Sequence, residues 1–92
     1  MARVVIRQQH NKSDEEVREI IQDVEQTLVK RYDVRTRWRE NEVRFSRPGL
    51  DGELCMEPGC VVIRMKLGVM LGIYSRTIQT ELEKVVSEKL RT

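Results

Sequence analysis

Basic side chains recur at alternate positions in several short segments of the sequence. Guanidinium and ammonium groups bind carboxylates, phosphates and other anions. Alternate residues of a β-strand lie on one face, so this repeat would build a single basic surface if the segments formed a sheet. We therefore predict an anion-binding face that suits an acidic protein, an anionic surface or nucleic acid. Its residues are Arg35, Arg37, Arg39, Arg44, Arg64 and Lys66.

A second candidate site is the segment 67–74, which is apolar but interrupted by two glycines. The favoured interpretation is a connector that buries Val69, Leu71 and Ile73 against the end of the sheet, because apolar side chains are usually buried. The alternative is an exposed docking segment, since glycines let the chain bend outward and methionine adapts to irregular apolar surfaces. The docking residues of that alternative are Val69, Met70, Leu71 and Tyr74.

Residues able to support catalysis or metal binding are few and scattered. The one histidine, His10, has no nucleophile or orienting carboxylate at a recognisable spacing. Cys55 and Cys60 flank the turn Pro58-Gly59, where we expect two outward-facing free thiols rather than a disulfide. A zinc site would need more ligands, and no phosphate loop, dinucleotide fingerprint or nucleophile elbow occurs. We expect no catalytic residue, metal or cofactor, and a protein that is not an enzyme.

The composition indicates one small folded domain covering residues 1–92. It is 39% hydrophobic and 35% charged, which is too apolar for a disordered chain. No run of about 18 uncharged apolar residues occurs, so we expect no transmembrane helix. The first residues, Met-Ala-Arg-Val-Val-Ile, contain no apolar run followed by a cleavage site, and two cysteines do not make a disulfide framework. These features predict a cytoplasmic protein.

Hydrophobic periodicity predicts the elements that position the candidate residues. Residues 2–9 alternate as a strand, and a capping box at Ser13-Asp14-Glu15-Glu16 begins an amphipathic helix over about 14–32. Four short strands follow, with hairpin turns at Glu40-Asn41 and Pro58-Gly59 and a turn-rich loop over 47–52. A second amphipathic helix begins at Ser75.

Each helix has one apolar stripe and each strand one apolar face. This predicts a two-layer α+β fold of order β-α-β-β-β-β-α, an antiparallel five-stranded sheet with both helices on one face. We expect the strand order 2-3-4-5-1, and a register that places Arg37 opposite Arg44, a like-charge pair that weakens a sheet. The first helix carries six acidic residues against three basic ones, so we expect an electrically two-sided molecule.

The aromatic residues bear on the choice of anion. Single-stranded nucleic acid usually stacks on exposed aromatic side chains. In the predicted register Trp38 and Phe45 face inward, and Tyr32 and Tyr74 lie off the strands. Nucleic acid is therefore the less favoured partner. A free sheet edge would allow a homodimer.

Several motifs follow one another at a defined spacing: Trp38, V-R-F-S-R-P-G at 43–49, Asp51-Gly52, and M-K-L-G-V-M-L at 65–71. Their order resembles the polyhydroxyalkanoic acid system family, small bacterial proteins named for genes near those of polyester granule synthesis. The resemblance covers nearly the whole chain. It implies a role in polyhydroxyalkanoate metabolism, with no established activity and no catalytic residues to carry over. The element order is also similar to a reduced helix-grip domain.

The leading hypothesis is a non-enzymatic accessory protein of the polyhydroxyalkanoate system, located at storage granules. It would bind the granule surface or a granule protein through the apolar segment 67–74 and the basic face. One alternative is a nucleic-acid-binding or regulatory module that uses the basic face. Another is a small carrier of an apolar ligand, because helix-grip folds hold ligands between helix and sheet, although 92 residues leave little room for a large cavity.

Overall fold

The protein folds into two layers, an open antiparallel sheet with helices covering one face. The computed structural model describes residues 2–91. The sheet has five strands in the order β1-β5-β4-β3-β2, and all neighbours are antiparallel. This arrangement confirms the predicted fold class and strand order. The elements are β1 (Ala2–Gln9), α1 (Asp14–Tyr32), β2 (Arg35–Arg39), β3 (Glu42–Arg47), β4 (Leu50–Glu57), β5 (Cys60–Leu67), α2 (Val69–Gly72) and α3 (Ser75–Arg91).

Helix α1 begins and ends at capped residues. The Ser13 side chain accepts a hydrogen bond from the Glu16 amide at 3.3 Å, as the capping box predicts. At the other end Asp33 takes a left-handed conformation with φ 55°, and its N–H donates to the Val29 carbonyl. Within residues 2–91, no helix combines the length and the apolar character that a membrane span requires. The buried residues of α1 are Val17, Ile21, Val24 and Leu28.

Two of the three hairpins turn on the dipeptide Pro-Gly. Pro48-Gly49 joins β3 to β4 and Pro58-Gly59 joins β4 to β5, with glycine φ values of 85° and 67°. Such positive φ at the second central position of a turn favours glycine, and proline suits the first. The prediction of a loop over 47–52 is wrong, because Leu50 already pairs with Arg47 and buries its side chain. The turn is only two residues long.

The inner face of the sheet and the two long helices enclose the core. Helix α3 lies against β1, α1 lies against β2 and β4, and the helices contact each other. On the inner face Phe45 lies directly opposite Gly52, and its ring occupies the space that a side chain at Gly52 would need. The largest fully buried side chains are Phe45, Ile21, Leu28, Leu54, Ile63, Leu67 and Leu82, with several valines between them.

Candidate docking surfaces

The connection between β5 and α3 carries apolar side chains into solvent at one end of the sheet. It consists of the single helical turn α2 and the two residues that follow it. Its exposed fractions are 85% for Val69, 85% for Met70, 78% for Ile73 and 52% for Tyr74. We call these four residues the apolar tip. The favoured expectation, a buried connector, is wrong for Val69 and Ile73.

Leu71 is the residue of this connection that packs inward. It is half-buried, contacts the core and lies over Gly49. The Gly68 N–H donates to the Gly49 carbonyl at 2.9 Å, which holds the connection against the β3–β4 turn. Helical backbone directs residues three and four apart to the same side. Because Leu71 faces the sheet, the tip residues on the other side of this single helical turn are exposed to solvent.

The alternative prediction, that Val69, Met70, Leu71 and Tyr74 are partly exposed, agrees with the structure, but Leu71 is less exposed than the other three. Val69, Met70 and Tyr74 are exposed, whereas Leu71 is an anchor. Ile73 belongs to the tip and was missed. The signal that could have found it is the spacing 69, 70, 73, 74, which marks one side of a helical turn. Two glycines in the segment hid that spacing, because glycine disfavours helix.

The structure places all six residues of the predicted basic face on the outer face of the sheet, where they are exposed. The predicted like-charge pair is present, since Arg37 lies opposite Arg44. Arg3 and Arg7 of β1 lie on the same face. The six predicted residues are Arg35, Arg37, Arg39, Arg44, Arg64 and Lys66.

Acidic residues of β4 divide this basic face into two parts. Arg64 pairs with Glu53 at 3.6 Å and with Glu57 at 3.8 Å, and Arg44 pairs with Glu42 at 3.1 Å. These pairs are exposed, so each adds little stability. Asp51 also lies on this face, opposite Lys66. Asp51 was not predicted on this face, because the sequence pattern indicated a loop over 47–52.

We call Asp51, Glu53 and Glu57 of β4 the acidic strip. The unpaired cations outside this strip form two groups. On one side lie Arg3 and Lys66, which are opposite each other on β1 and β5. On the other side lies the β2 arginine row, which we define as Arg35, Arg37 and Arg39. Among the described residues, none of these five cations has an ion-pair partner within 4.0 Å. Their charge is therefore available to an external anion.

Aromatic side chains do not reach the outer face. Phe45 is buried, and the Trp38 indole Nε1 donates to Glu25 at 3.0 Å beneath α1. The Arg18 guanidinium lies 5.6 Å from the centre of the Trp38 ring, on the same side of the sheet. Tyr32 donates to Glu81 at 2.8 Å, and burial together with this contact raises its pKa to about 12. The strands therefore present no stacking platform among the residues described.

The two cysteines are free, and they differ in surroundings. Cys55 is half-buried, and burial raises the pKa of its thiol, with Glu53 and Glu42 adding to the effect. Cys60 alternates with the inward residues Val61 and Ile63 and so lies on the outer face as predicted, but it is buried there. Cys55, Glu42 and Glu53 place ligand atoms within 4.8 Å of one another. Both carboxylates already pair with arginines, which satisfies their charge.

His10 lies in the connection between β1 and α1, away from these groups. Its Nδ1 accepts a hydrogen bond from the Lys12 backbone N–H at 3.1 Å, and the backbone N–H of His10 donates to the Gly59 carbonyl at 3.0 Å. Its Nε2 is buried and has no hydrogen-bond partner among the residues described. These contacts hold the connection between β1 and α1 against the β4–β5 turn.

Comparison with known families places this geometry in context. A family model described as "Putative polyhydroxyalkanoic acid system protein" matches residues 4–90. The chain belongs to this family. The resemblance predicted from the motif order is confirmed. A search of curated proteins and a search of solved structures each found no match.

The match to the polyhydroxyalkanoic acid system family covers most of the features described above. The matched residues include the apolar tip, the acidic strip of β4 and the β2 arginine row. The family description names a metabolic system and assigns no role to any residue. The chemistry of these surfaces must therefore carry any functional assignment.

Proposed function

We propose that this polyhydroxyalkanoic acid system protein is a non-enzymatic accessory protein that attaches to the polyester storage granule through its apolar tip. The family membership supports the link to the polyester system. The observation that carries the proposal is the contiguous exposure of Val69, Met70, Ile73 and Tyr74. Contiguous exposed apolar side chains typically mark a binding surface.

The tip has a chemistry suited to an apolar surface. Burying a valine, isoleucine or methionine side chain contributes about 1.5–3 kcal/mol. Partial burial of Val69, Met70 and Ile73 against polyester would then contribute about 4–6 kcal/mol before the cost of association. Even without that cost, about 4–6 kcal/mol corresponds to a dissociation constant of about 0.04–1 mM, so attachment of one molecule through the tip alone would be reversible.

Cations near the tip would add an electrostatic contribution. Arg3 and Lys66 lie at the end of the sheet from which the tip projects, and Gly72 approaches Ala2 beside Arg3. Arg76 follows the tip in the first turn of α3 and is exposed. An apolar patch beside basic residues is typical of proteins that bind at interfaces. Carboxylate or phosphate groups at the granule surface would complement these charges.

The two alternatives have less support. A nucleic-acid-binding module would use the basic face, but β4 interrupts that face with acidic residues and its strands expose no aromatic ring in the part of the chain described. A carrier of an apolar ligand would need space between helices and sheet. The ring of Phe45 fills that layer above Gly52, and Leu54 and Ile63 beside it are fully buried.

Co-sedimentation with isolated granules tests the proposal. We expect the wild-type protein to sediment with granules and the variant Met70→Glu/Ile73→Glu to lose at least about tenfold in affinity, because two charges would enter the apolar contact. The matched control is Gln22→Glu/Gln26→Glu, which adds two negative charges at exposed positions of α1 and should bind like wild type.

Circular dichroism must show that both variants are folded. Two results would overturn the proposal. One is an equal amount of wild-type protein in the supernatant with and without granules. The other is a folded tip variant that binds as well as the wild type.

A further inference from the structure

The open edge of β2 is a second candidate binding site, separate from the apolar tip. We propose that it receives an extended acidic segment of a partner protein, which pairs antiparallel with β2 as a sixth strand. The backbone of the edge would supply the hydrogen bonds, and the β2 arginine row would supply the charge recognition.

The hairpin geometry determines which backbone groups face the edge. Within residues 2–91, β2 is the last strand of the sheet and pairs only with β3. Arg39 and Glu42 close a two-residue turn and are therefore a hydrogen-bonded pair. Such pairs alternate along an antiparallel ladder. The N–H and C=O groups of Thr36 and Trp38 therefore point toward the open edge.

These edge groups are available. No turn, loop or cap hydrogen bond between described residues engages the backbone of Thr36 or Trp38. An unpaired strand edge is a template for another strand, and proteins that do not use it protect it.

The charges on β2 are of one sign. The three side chains of the β2 arginine row repeat every second residue, about 6.8 Å apart along the strand. Arg44 lies opposite Arg37 but pairs with Glu42 at 3.1 Å, so the unpaired charge on this side belongs to the β2 arginine row. An open trough of about 620 Å³ lies beside this row, with Ser46 and Asp51 in its lining. An acidic side chain at every second position of a partner strand would match this spacing.

The sheet already contains one pairing of this kind. The outward side chains of β4 include Asp51, Glu53 and Glu57. Glu53 lies between Arg44 of β3 and Arg64 of β5, and Asp51 lies opposite Lys66. Arg64 of β5 pairs with Glu53 across the strands. A strand with acidic outward residues beside β2 would repeat this arrangement at the edge.

The same charges disfavour other occupants. Pairing of β2 with β2 of a second copy would bring two arginine rows together, and like charges across strands are destabilising. An acidic partner strand would instead place carboxylates beside the three unpaired arginines of the β2 row, whereas Arg44 on β3 already has Glu42 as its partner.

A designed peptide tests the proposal directly. The probe is a fluorescein-labelled peptide of alternating Glu and Thr, about eight residues long, which spans a strand the size of β2. We expect saturable binding by fluorescence anisotropy at low salt. Arg35→Gln/Arg37→Gln should weaken it at least about tenfold. The matched control Arg3→Gln/Lys66→Gln, on the far side of the acidic strip, should change the dissociation constant less than about twofold.

Backbone methylation separates strand pairing from simple attraction of charge. In the proposed pairing, peptide threonines lie opposite Thr36 and Trp38 and donate their N–H groups to β2, whereas peptide glutamates point their N–H groups away. Methylation of the threonine nitrogens should abolish binding, and methylation of the glutamate nitrogens should leave it intact. The variant Thr36→Pro should also lose binding while remaining folded, because proline is tolerated where the N–H faces outward from an edge strand.

Hydrogen exchange supplies a further measurement. Saturation with the peptide should slow exchange of the Thr36 and Trp38 amides. The absence of saturable binding would overturn the proposal, as would equal binding of both methylated peptides. Displacement of the peptide by inorganic polyphosphate or oligothymidylate at matched charge, with equal potency, would assign the arginine row to an anionic polymer instead.

Discussion

Gly52 is the position where one added methyl group should test the packing most directly. It lies on the inner face of β4, opposite Phe45. A Cβ at Gly52 would lie 2.5 Å from Cε2 of the Phe45 ring and 2.8 Å from the Arg64 carbonyl oxygen. Both separations are far below van der Waals contact. The variant Gly52→Ala must therefore displace a buried ring or a backbone group of β5.

The expected cost follows from these contacts. Insertion of extra volume into a packed core costs about 1–3 kcal/mol. The upper end applies here, because the Arg64 carbonyl belongs to the sheet and Phe45 is only 2% exposed. Replacing glycine by alanine in a strand regains about 0.5–1 kcal/mol of backbone entropy. We expect a net loss of about 2 kcal/mol in the free energy of unfolding.

Urea unfolding followed by circular dichroism measures this loss. For a small domain the midpoint should fall by about 1–2 M urea. Replacing the Phe45 ring by the smaller leucine side chain in Phe45→Leu should remove part of the overlap with a Cβ at position 52. The double variant should then be at least about 1 kcal/mol more stable than the sum of the two single effects predicts. A Gly52→Ala protein within about 0.5 kcal/mol of wild type, or strict additivity, would refute the packing argument.

Three further predictions concern a turn and two titrating groups. Glu40 has φ 56° in the β2–β3 turn, a conformation that costs a non-glycine residue about 1 kcal/mol, so Glu40→Gly should raise the thermal midpoint of unfolding. An unchanged or lower midpoint would contradict this. The pKa of Tyr32 is raised to about 12 in the folded state, above its usual value of 10.0, so its contribution to stability is complete below pH 10 and is lost as pH rises from 10 to 12. Denaturation at a series of alkaline pH values should show this loss, and Tyr32→Phe should remove it. The raised pKa of the Cys55 thiol predicts slow alkylation by iodoacetamide at neutral pH. Glu53→Gln should accelerate this alkylation, and equal rates for the variant and the wild type would show that the Glu53 charge does not raise the pKa.

Local patterns account for the parts of the fold that the sequence predicted well. The Ser13 cap, the apolar stripe of α1 and the alternation of β1 each concern residues within one element. The register of β2 against β3 was also predictable, because pairing Trp38 with Val43 places every apolar side chain of the hairpin on one face. The inward direction of both aromatic residues followed from that register.

The candidate sites were less predictable because they depend on contacts between elements. The length of β4 depended on recognising Pro48-Gly49 as a complete turn, and this error hid Asp51 and with it part of the acidic strip. The exposure of the tip depended on which side of a single helical turn would meet the sheet end. Leu71 makes that contact over Gly49, so Val69 and Ile73 remain in water.

The sequence by itself determined most of the secondary structure and the presence of basic residues on the outer face, because periodicity and turn chemistry are local properties of the chain. Only the tertiary structure decided which of those cations are neutralised. Arg64 meets Glu53 and Glu57, two carboxylates of the neighbouring strand β4, whereas the arginines of β2 lie at an edge where, among the residues described, no further strand follows. Ion pairing depends on distances of a few ångströms between residues far apart in the chain, and folding alone sets those distances.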